Sequence, residues 1–405
     1  MENKNLVLFT DSFYFEDSTS KYNSKIAKYL TKQNNVKVVC GKSLFSKHQL
    51  FEKVNKKLNI IRLPTLFSNS KILPLKIIKF ICFSISVSVY LIFKKRKKEV
   101  YLICTSPPII LPPLILIAKL KDLFRKKIIK KVLLCQDIYP DFLGEEKNFK
   151  NLKYICMKML SFIYSRTYKN FDLAISCCEP IKEKLVGKYN LKNNKVKVIN
   201  NWSLINKNII DSHIKKNLTS QNKIKMFLIG NVGKPHLYKQ TTNTLENILS
   251  KSQIIKSLHM YTRGCHHMDI YNRLNKLDNV HLHDLIPAND LAKVYSEPSI
   301  TIVPLTQVVS LCAFPSRIAT AVSLGSPVLV ITDYLENNYL AYFVKKYNIG
   351  LVIDKSSQFN KDDWISNQFK INFNTYQENC NSLYRELFNM ENNLQQISDF
   401  IDSNL

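Results

Sequence analysis

Short apolar runs recur along the chain, each followed by a polar or proline-bearing stretch and then by apolar positions at helical spacing. Leu6 to Thr10, Val36 to Cys40, Leu58 to Leu63, Val100 to Ser106, Val132 to Gln136, Asp172 to Ser176 and Val196 to Asn200 read as one series of strands. A polar stretch follows, and a second series begins with Lys225 to Ile229, Leu258 to Tyr261, Asn279 to Leu282, Ser299 to Pro304, Pro327 to Ile331 and Tyr347 to Asp354. Runs without strict alternation are what strands covered on both faces require, and strands alternating with helices give a parallel sheet. The pattern predicts an α/β protein with one domain over 1–202, a linker over 203–223, a second domain over 224–371 and a helical segment over 372–405.

The stretch Ser299 to Ile331 shows how such a domain makes a site. It predicts a buried strand, an irregular loop, a helix opened by Pro315 and Ser316, a stop at Gly325 and a second buried strand. Ligands of parallel sheets sit off the carboxyl ends of the strands, which places the loop before Pro315 there. The first amides of the helix lack intrahelical partners and, with the helix dipole, favour an anion such as a diphosphate.

The most apolar region is Ile72 to Phe93, but its uninterrupted core, Phe80 to Phe93, falls short of the roughly 20 residues a helix needs to cross hydrocarbon. Ile109 to Ala118 is shorter still. Phe80 to Phe93 ends in Lys94, Lys95, Arg96, Lys97 and Lys98, which suits either an interfacial helix facing an anionic membrane or a core helix with a solvated end.

Composition is that of a globular chain, 45% hydrophobic and 11% aromatic over 405 residues, enough for more than one core. Charge changes the picture through its distribution. The net charge is +28, and residues 1–200 hold 39 basic against 14 acidic side chains, a net +25, leaving +3 for the rest. Lysine-rich codon bias explains part of this, and an anionic partner of the first half would explain the asymmetry. No basic reading helix is present and arginine is scarce, so nucleic acid is not expected as a partner. The ten cysteines show no disulfide framework, and Met1 to Thr10 holds no signal-peptide core, which predicts a cytoplasmic protein. Cys177-Cys178 and Cys265-His266-His267 lack a spaced partner pair, so no metal is expected.

Several of these residues carry a resemblance. Pro315, Ser316, Arg317, Gly325, Pro327 and Val328, the turn Gly230-Asn231-Val232-Gly233-Lys234, Ser106-Pro107-Pro108, and Asp137 to Pro140 resemble, in order, the motifs of the GT-B glycosyltransferases, and within them retaining family 4. The resemblance implies two Rossmann-like domains facing a cleft, with a C-terminal helix crossing back to the first. It implies a retaining transferase that moves a hexosyl or N-acetylhexosaminyl group from a nucleotide-diphosphate sugar, UDP-linked, without a cofactor. The acceptor would be a polyprenyl-diphosphate-linked saccharide of bacterial O-antigen or capsule synthesis, at the inner face of the plasma membrane.

The resemblance assigns donor binding to Gly230, Asn231, Gly233, Lys234, Arg263, Leu285, Ile286, Pro315, Ser316, Arg317 and Thr320. Asp137, at a strand end beside Pro140, is the candidate for an acceptor-side or acid/base role, or else a turn former. The chain departs from the family where glutamates are usual, with Cys312 and Thr320 in their places, and where glycines are usual, with none between Thr10 and Cys40. These departures carry a second expectation, a catalytically degenerate partner or scaffold protein.

Overall fold

The computed structural model describes residues 4–13, 18–43, 51–53, 56–66, 73–95, 98–123, 129–144, 152–212, 219, 223–354 and 364–405. Arg96 and Lys97 of the basic cluster, and 213–218 and 220–222 of the expected linker, lie outside the described residues. The chain divides into two compact units, Met1–Asn200 with Leu394–Leu405, and Asn201–Asn393.

The first unit contains strands β1 (Asn5–Phe9), β2 (Asn35–Ser43), β3 (Phe51–Lys53), β4 (Leu58–Thr65), β5 (Glu99–Cys104), β6 (Ile129–Cys135), β7 (Leu173–Ser176) and β8 (Val196–Val198). They form one sheet in the order β3-β4-β2-β1-β5-β6-β7-β8, parallel throughout except for β3, which pairs antiparallel with β4. Its helices are α1 (Ser18–Leu30), α2 (Leu73–Phe93), α3 (Leu111–Leu123), α4 (Leu152–Tyr168) and α5 (Glu179–Glu183). Val100 to Cys104 of β5 are buried, as are Leu6 to Phe9 of β1, which is why these stretches read as unbroken apolar runs. The expectation from sequence had no counterpart for β3, a three-residue edge strand held by its neighbour rather than by a pattern of its own.

The second unit contains β9 (Ile224–Asn231), β10 (Ile255–Arg263), β11 (Val280–Leu282), β12 (Ser299–Pro304), β13 (Val328–Ile331) and β14 (Gly350–Ile353), all parallel, in the order β11-β10-β9-β12-β13-β14. Its helices are α6 (Lys207–Ser212), α7 (Tyr238–Lys251), α8 (His267–Leu274), α9 (Leu291–Val294), α10 (Gln307–Ser310), α11 (Ser316–Ser323), α12 (Tyr339–Lys346) and α13 (Trp364–Leu383). Ile365, Phe369, Phe373 and Tyr376 put α13 into this unit's core with Ile224, Leu228 and Ile302. The last helix, α14 (Met390–Asn404), crosses back: from Leu394 onward it belongs to the first unit, where Asp402 pairs with Lys4 at 3.0 Å. Two parallel Rossmann-like sheets and a returning C-terminal helix are the GT-B architecture.

Candidate functional site

In the second sheet the chain runs outward from β9 to β10 and β11, then returns to the other side of β9 with β12, β13 and β14. The direction reverses between β9 and β12, and such a switch point opens a crevice at the carboxyl ends of the strands. The turn after β9 is built to lie there. Gly230 takes φ +90°, a left-handed conformation that glycine adopts freely. The Val232 amide donates to the Arg263 carbonyl at 2.7 Å, and the Val232 carbonyl accepts from the His266 amide at 3.1 Å, which fastens the turn to the end of β10. Gly264, at φ +114°, lies beneath it; a Cβ there would fall 2.4 Å from Asn231 Oδ1 and 2.7 Å from the Val232 carbonyl oxygen. Gly233 has an ordinary φ of −108°, so it is not needed for its conformation. Its amide donates to His236 Nδ1 at 3.0 Å, and burial, followed by the Arg317 charge, lowers the His236 pKa to about 4, which keeps the imidazole neutral to accept that bond. His236 escaped the sequence reading because nothing in Lys234-Pro235-His236 shows that the ring folds back.

On the other side of the switch point, Pro315 is extended and caps α11 without a side chain, so the first turn of the helix keeps amides to offer. Arg317, one residue in, donates through Nη2 to the Asn231 carbonyl at 2.8 Å and so joins the two sides of the switch point. Its Nη1 is buried with no hydrogen-bond partner, and burial lowers the guanidinium pKa to about 10. Arg317 as a whole is half-buried, but a covered, charged nitrogen without an acceptor is costly, and an anion would relieve it. Thr262 Oγ1, on β10 in register with Gly230, is likewise buried without a partner.

Lys234 and Arg263 are exposed in the same turn region. Ser316 is the first residue of α11, and Thr320 one turn later directs its hydroxyl to the Ser316 carbonyl at 3.4 Å. Cys312 is buried in the core. Leu285 and Ile286 lie in the loop after β11, two strands from β9, with Leu285 exposed.

The first sheet has a switch point of its own, between β1 and β5. Buried Asp11, just past β1, pairs with Lys79 of α2 at 3.1 Å, and Asn23 of α1 donates to Thr10 Oγ1 at 2.9 Å. Thr105, after β5, accepts the amides of Gln136 and Asp137 at 3.2 and 3.3 Å, which places Asp137 beside that end of the sheet. Asp137 is half-buried, and desolvation raises its carboxyl to about 6. Asp141, four residues on, is engaged by the Tyr189 hydroxyl and by Lys188 at 2.8 Å, and its pKa is lowered despite its burial. The sequence reading chose Asp137 alone and passed over Asp141; the structure makes Asp141 a fastening point and leaves the Asp137 carboxyl raised to about 6.

Of the basic cluster, Lys94 turns inward to Glu99 at 2.6 Å, while Lys95 and Lys98 are exposed. Among the described residues, no helix is long and apolar enough to cross a membrane, and no three His, Cys, Asp or Glu side chains are grouped to hold a metal ion.

No family model matches the chain, and no curated protein sequence matches it. Solved structures do match at full length. Sucrose-phosphate synthase from Thermosynechococcus elongatus superposes with a TM-score of 0.69 at 13% identity, covering 99% of each chain. The apo form of the lipopolysaccharide outer core galactosyltransferase WaaB gives 0.60 at 11% identity, covering 99% of this chain and 100% of its own. A trehalose-6-phosphate protein from E. coli bound with UDP-2-fluoro glucose gives 0.64 at 10% identity, covering 98% and 99%. At these identities the likeness establishes the fold.

Proposed function

We propose that this protein is a glycosyltransferase that takes a sugar from a nucleotide-diphosphate donor, UDP-linked, and passes it with retention to a lipid-linked saccharide of bacterial surface-polysaccharide synthesis. The observation that carries this reading is the buried, unpartnered Nη1 of Arg317, held at a switch point beside an uncapped helix start and a glycine turn. In this reading the diphosphate accepts from Arg317 and the first amides of α11, with Lys234 and Arg263 adding charge from the rim. Those donors stabilise the negative charge that grows on the leaving diphosphate, in a site where burial strengthens each interaction. The second unit would hold the donor and the first the acceptor, with Leu285 and Ile286 nearer the base. Asp137, with a carboxyl near pH 6, is suited to exchange a proton with an acceptor hydroxyl. Neighbours of the same fold that include a galactosyltransferase and a protein bound with UDP-2-fluoro glucose support this reading.

A second reading, a transferase-like scaffold without activity, is favoured by two observations. Cys312 is buried where relatives carry an acid, and the Thr320 hydroxyl is turned onto its own helix. Calorimetric titration with UDP separates the two: the transferase binds UDP and loses affinity on Arg317→Ala, and a wild-type protein that gives no heat and no thermal shift with any nucleoside diphosphate is the scaffold.

A further inference from the structure

The helices α2, α3 and α4 follow β4, β5 and β6, and each connection runs across the first sheet in the same direction. Right-handed crossovers in one direction place all three in a single layer on one face, with α3 packed against both α2 and α4. Each helix buries one stripe against the sheet: Phe83, Val87 and Leu91 in α2, Leu114 and Ala118 in α3, Met157 and Tyr164 in α4. The opposite stripe should be polar on a helix that meets only water. Here it is apolar on all three.

Ile81, Ile85 and Val89 on α2 are exposed at regular four-residue spacing, Ile85 by 57%, and Phe93 at the helix end is 82% exposed. Leu116, Leu120 and Leu123 repeat the pattern on α3, with Leu116 at 59%. Ile155, Met159 and Phe162 repeat it on α4, with Phe162 at 58%. A contiguous apolar surface built by three adjacent helices is unlike scattered exposed leucines, and marks a place where something docks.

The charges say what docks there. Within the three helices the sole acid is Asp122, and it pairs with Lys131 at 3.4 Å. Lys119, Lys153, Lys158 and Arg166 are exposed among the apolar positions, and Lys95 and Lys98 follow α2. Arg166 lies over the Phe162 ring at 4.3 Å and Lys158 over Tyr154 at 5.9 Å, so these cations share the apolar face. A partner for this face must be apolar in bulk and anionic at its rim. The surface of an anionic bilayer has both properties: isoleucine, leucine and phenylalanine enter the acyl boundary while lysine and arginine extend to the headgroups. We infer that α2, α3 and α4 together form a monotopic docking face for an anionic lipid bilayer, with the apolar stripes inserted and the basic side chains on lipid phosphates. Lys94 takes no part in it, being held by Glu99.

This inference rests on the first unit alone and does not need the donor site, so the two fail separately. The test is flotation of the full chain with phosphatidylcholine vesicles, with and without 30% phosphatidylglycerol, at low salt and at about 0.5 M salt. Wild type should float at least tenfold more with the anionic vesicles and retain part of that binding at high salt, where attachment by charge alone is screened. The triple variant Ile85→Asp, Leu116→Asp, Phe162→Asp alters exposed positions only; it should lose binding at least tenfold while its melting temperature and UDP affinity stay at wild-type values. A second variant, Lys119→Gln, Lys153→Gln, Lys158→Gln, should keep residual binding that depends less on phosphatidylglycerol than that of wild type, Lys95, Lys98 and Arg166 remaining. Failure of wild type to float with anionic vesicles overturns the proposal. Complete loss of wild-type binding at high salt overturns the insertion of the apolar stripes. A wild-type dimer that the aspartate variant converts to monomer, with no vesicle binding, would assign the face to a second copy.

Discussion

The carboxyl ends of the two sheets are built on the same plan and chemically opposed. At the switch point of the second sheet the polypeptide contributes a glycine turn, an uncapped helix start and an arginine with an unused buried donor. At that of the first it contributes carboxylates, Asp11 already matched by Lys79 and Asp137 held near neutrality, and no glycine between Thr10 and Cys40. One end offers an unpartnered cationic donor; the other carries carboxyl groups. The two ends share a topology and differ in their strand-end side chains, which under the function proposed above suit one to a diphosphate and the other to proton exchange. The helix layers differ too. In the second unit the outer surface of α7 carries Glu246 paired with Arg273 at 3.2 Å and Lys276 at 2.6 Å, an ordinary solvated face. The outer surface of α2, α3 and α4 is apolar, so that property is not a demand of the fold.

Gly264→Ala forces a side chain into a left-handed position and onto Asn231 and Val232, and should destabilise the second unit by about 3 kcal/mol, combining backbone strain with overlap. Thermal melting checks this, and an unchanged melting temperature would show that the turn adapts.

Arg317→Ala should weaken UDP binding by about 1.5–3 kcal/mol, the range for a hydrogen bond to a charged group, read by calorimetry. It should not reduce stability by a similar amount, because the loss of the Nη2 bond to Asn231 is offset by removal of the unpartnered Nη1.

For the first unit, the raised carboxyl of Asp137 fixes a sign. Folding favours the neutral acid, so the stability it contributes is present below about pH 4 and is lost as pH rises through about 6. Asp137→Asn should therefore melt like wild type near pH 4 and be more stable by about 1–2 kcal/mol above pH 6. If the activity uses this carboxylate, the rate should rise through pH 6 in wild type and be lost in the same variant. Parallel melting curves from pH 4 to pH 8 would remove Asp137 from the poised state.

The smallest effect expected is that of Lys234→Ala. Lys234 is exposed in the glycine turn, so its attraction to a diphosphate is screened, and the loss should stay under about 1 kcal/mol and shrink with added salt. A loss as large as that of Arg317→Ala would place the lysine inside the site.

The strands are legible in the sequence, because residues buried on both faces of a parallel sheet are mostly apolar without alternation, and β1, β5, β12 and β13 stand out in that way. So are the helix start at Ser316 and the glycine turn after β9, which are set by local backbone chemistry. Long-range packing separates side chains that are alike in sequence. Asp137 and Asp141 differ because Tyr189 and Lys188, far along the chain, reach only the second. Lys94 differs from Lys95 because Glu99 lies beneath it. Ile85 and Val87 are two apolar residues of one helix; α2 is apolar on opposite sides, and periodicity alone cannot tell which stripe meets the sheet. The sheet chose Phe83, Val87 and Leu91, and by that choice left Ile81, Ile85 and Val89 facing outward.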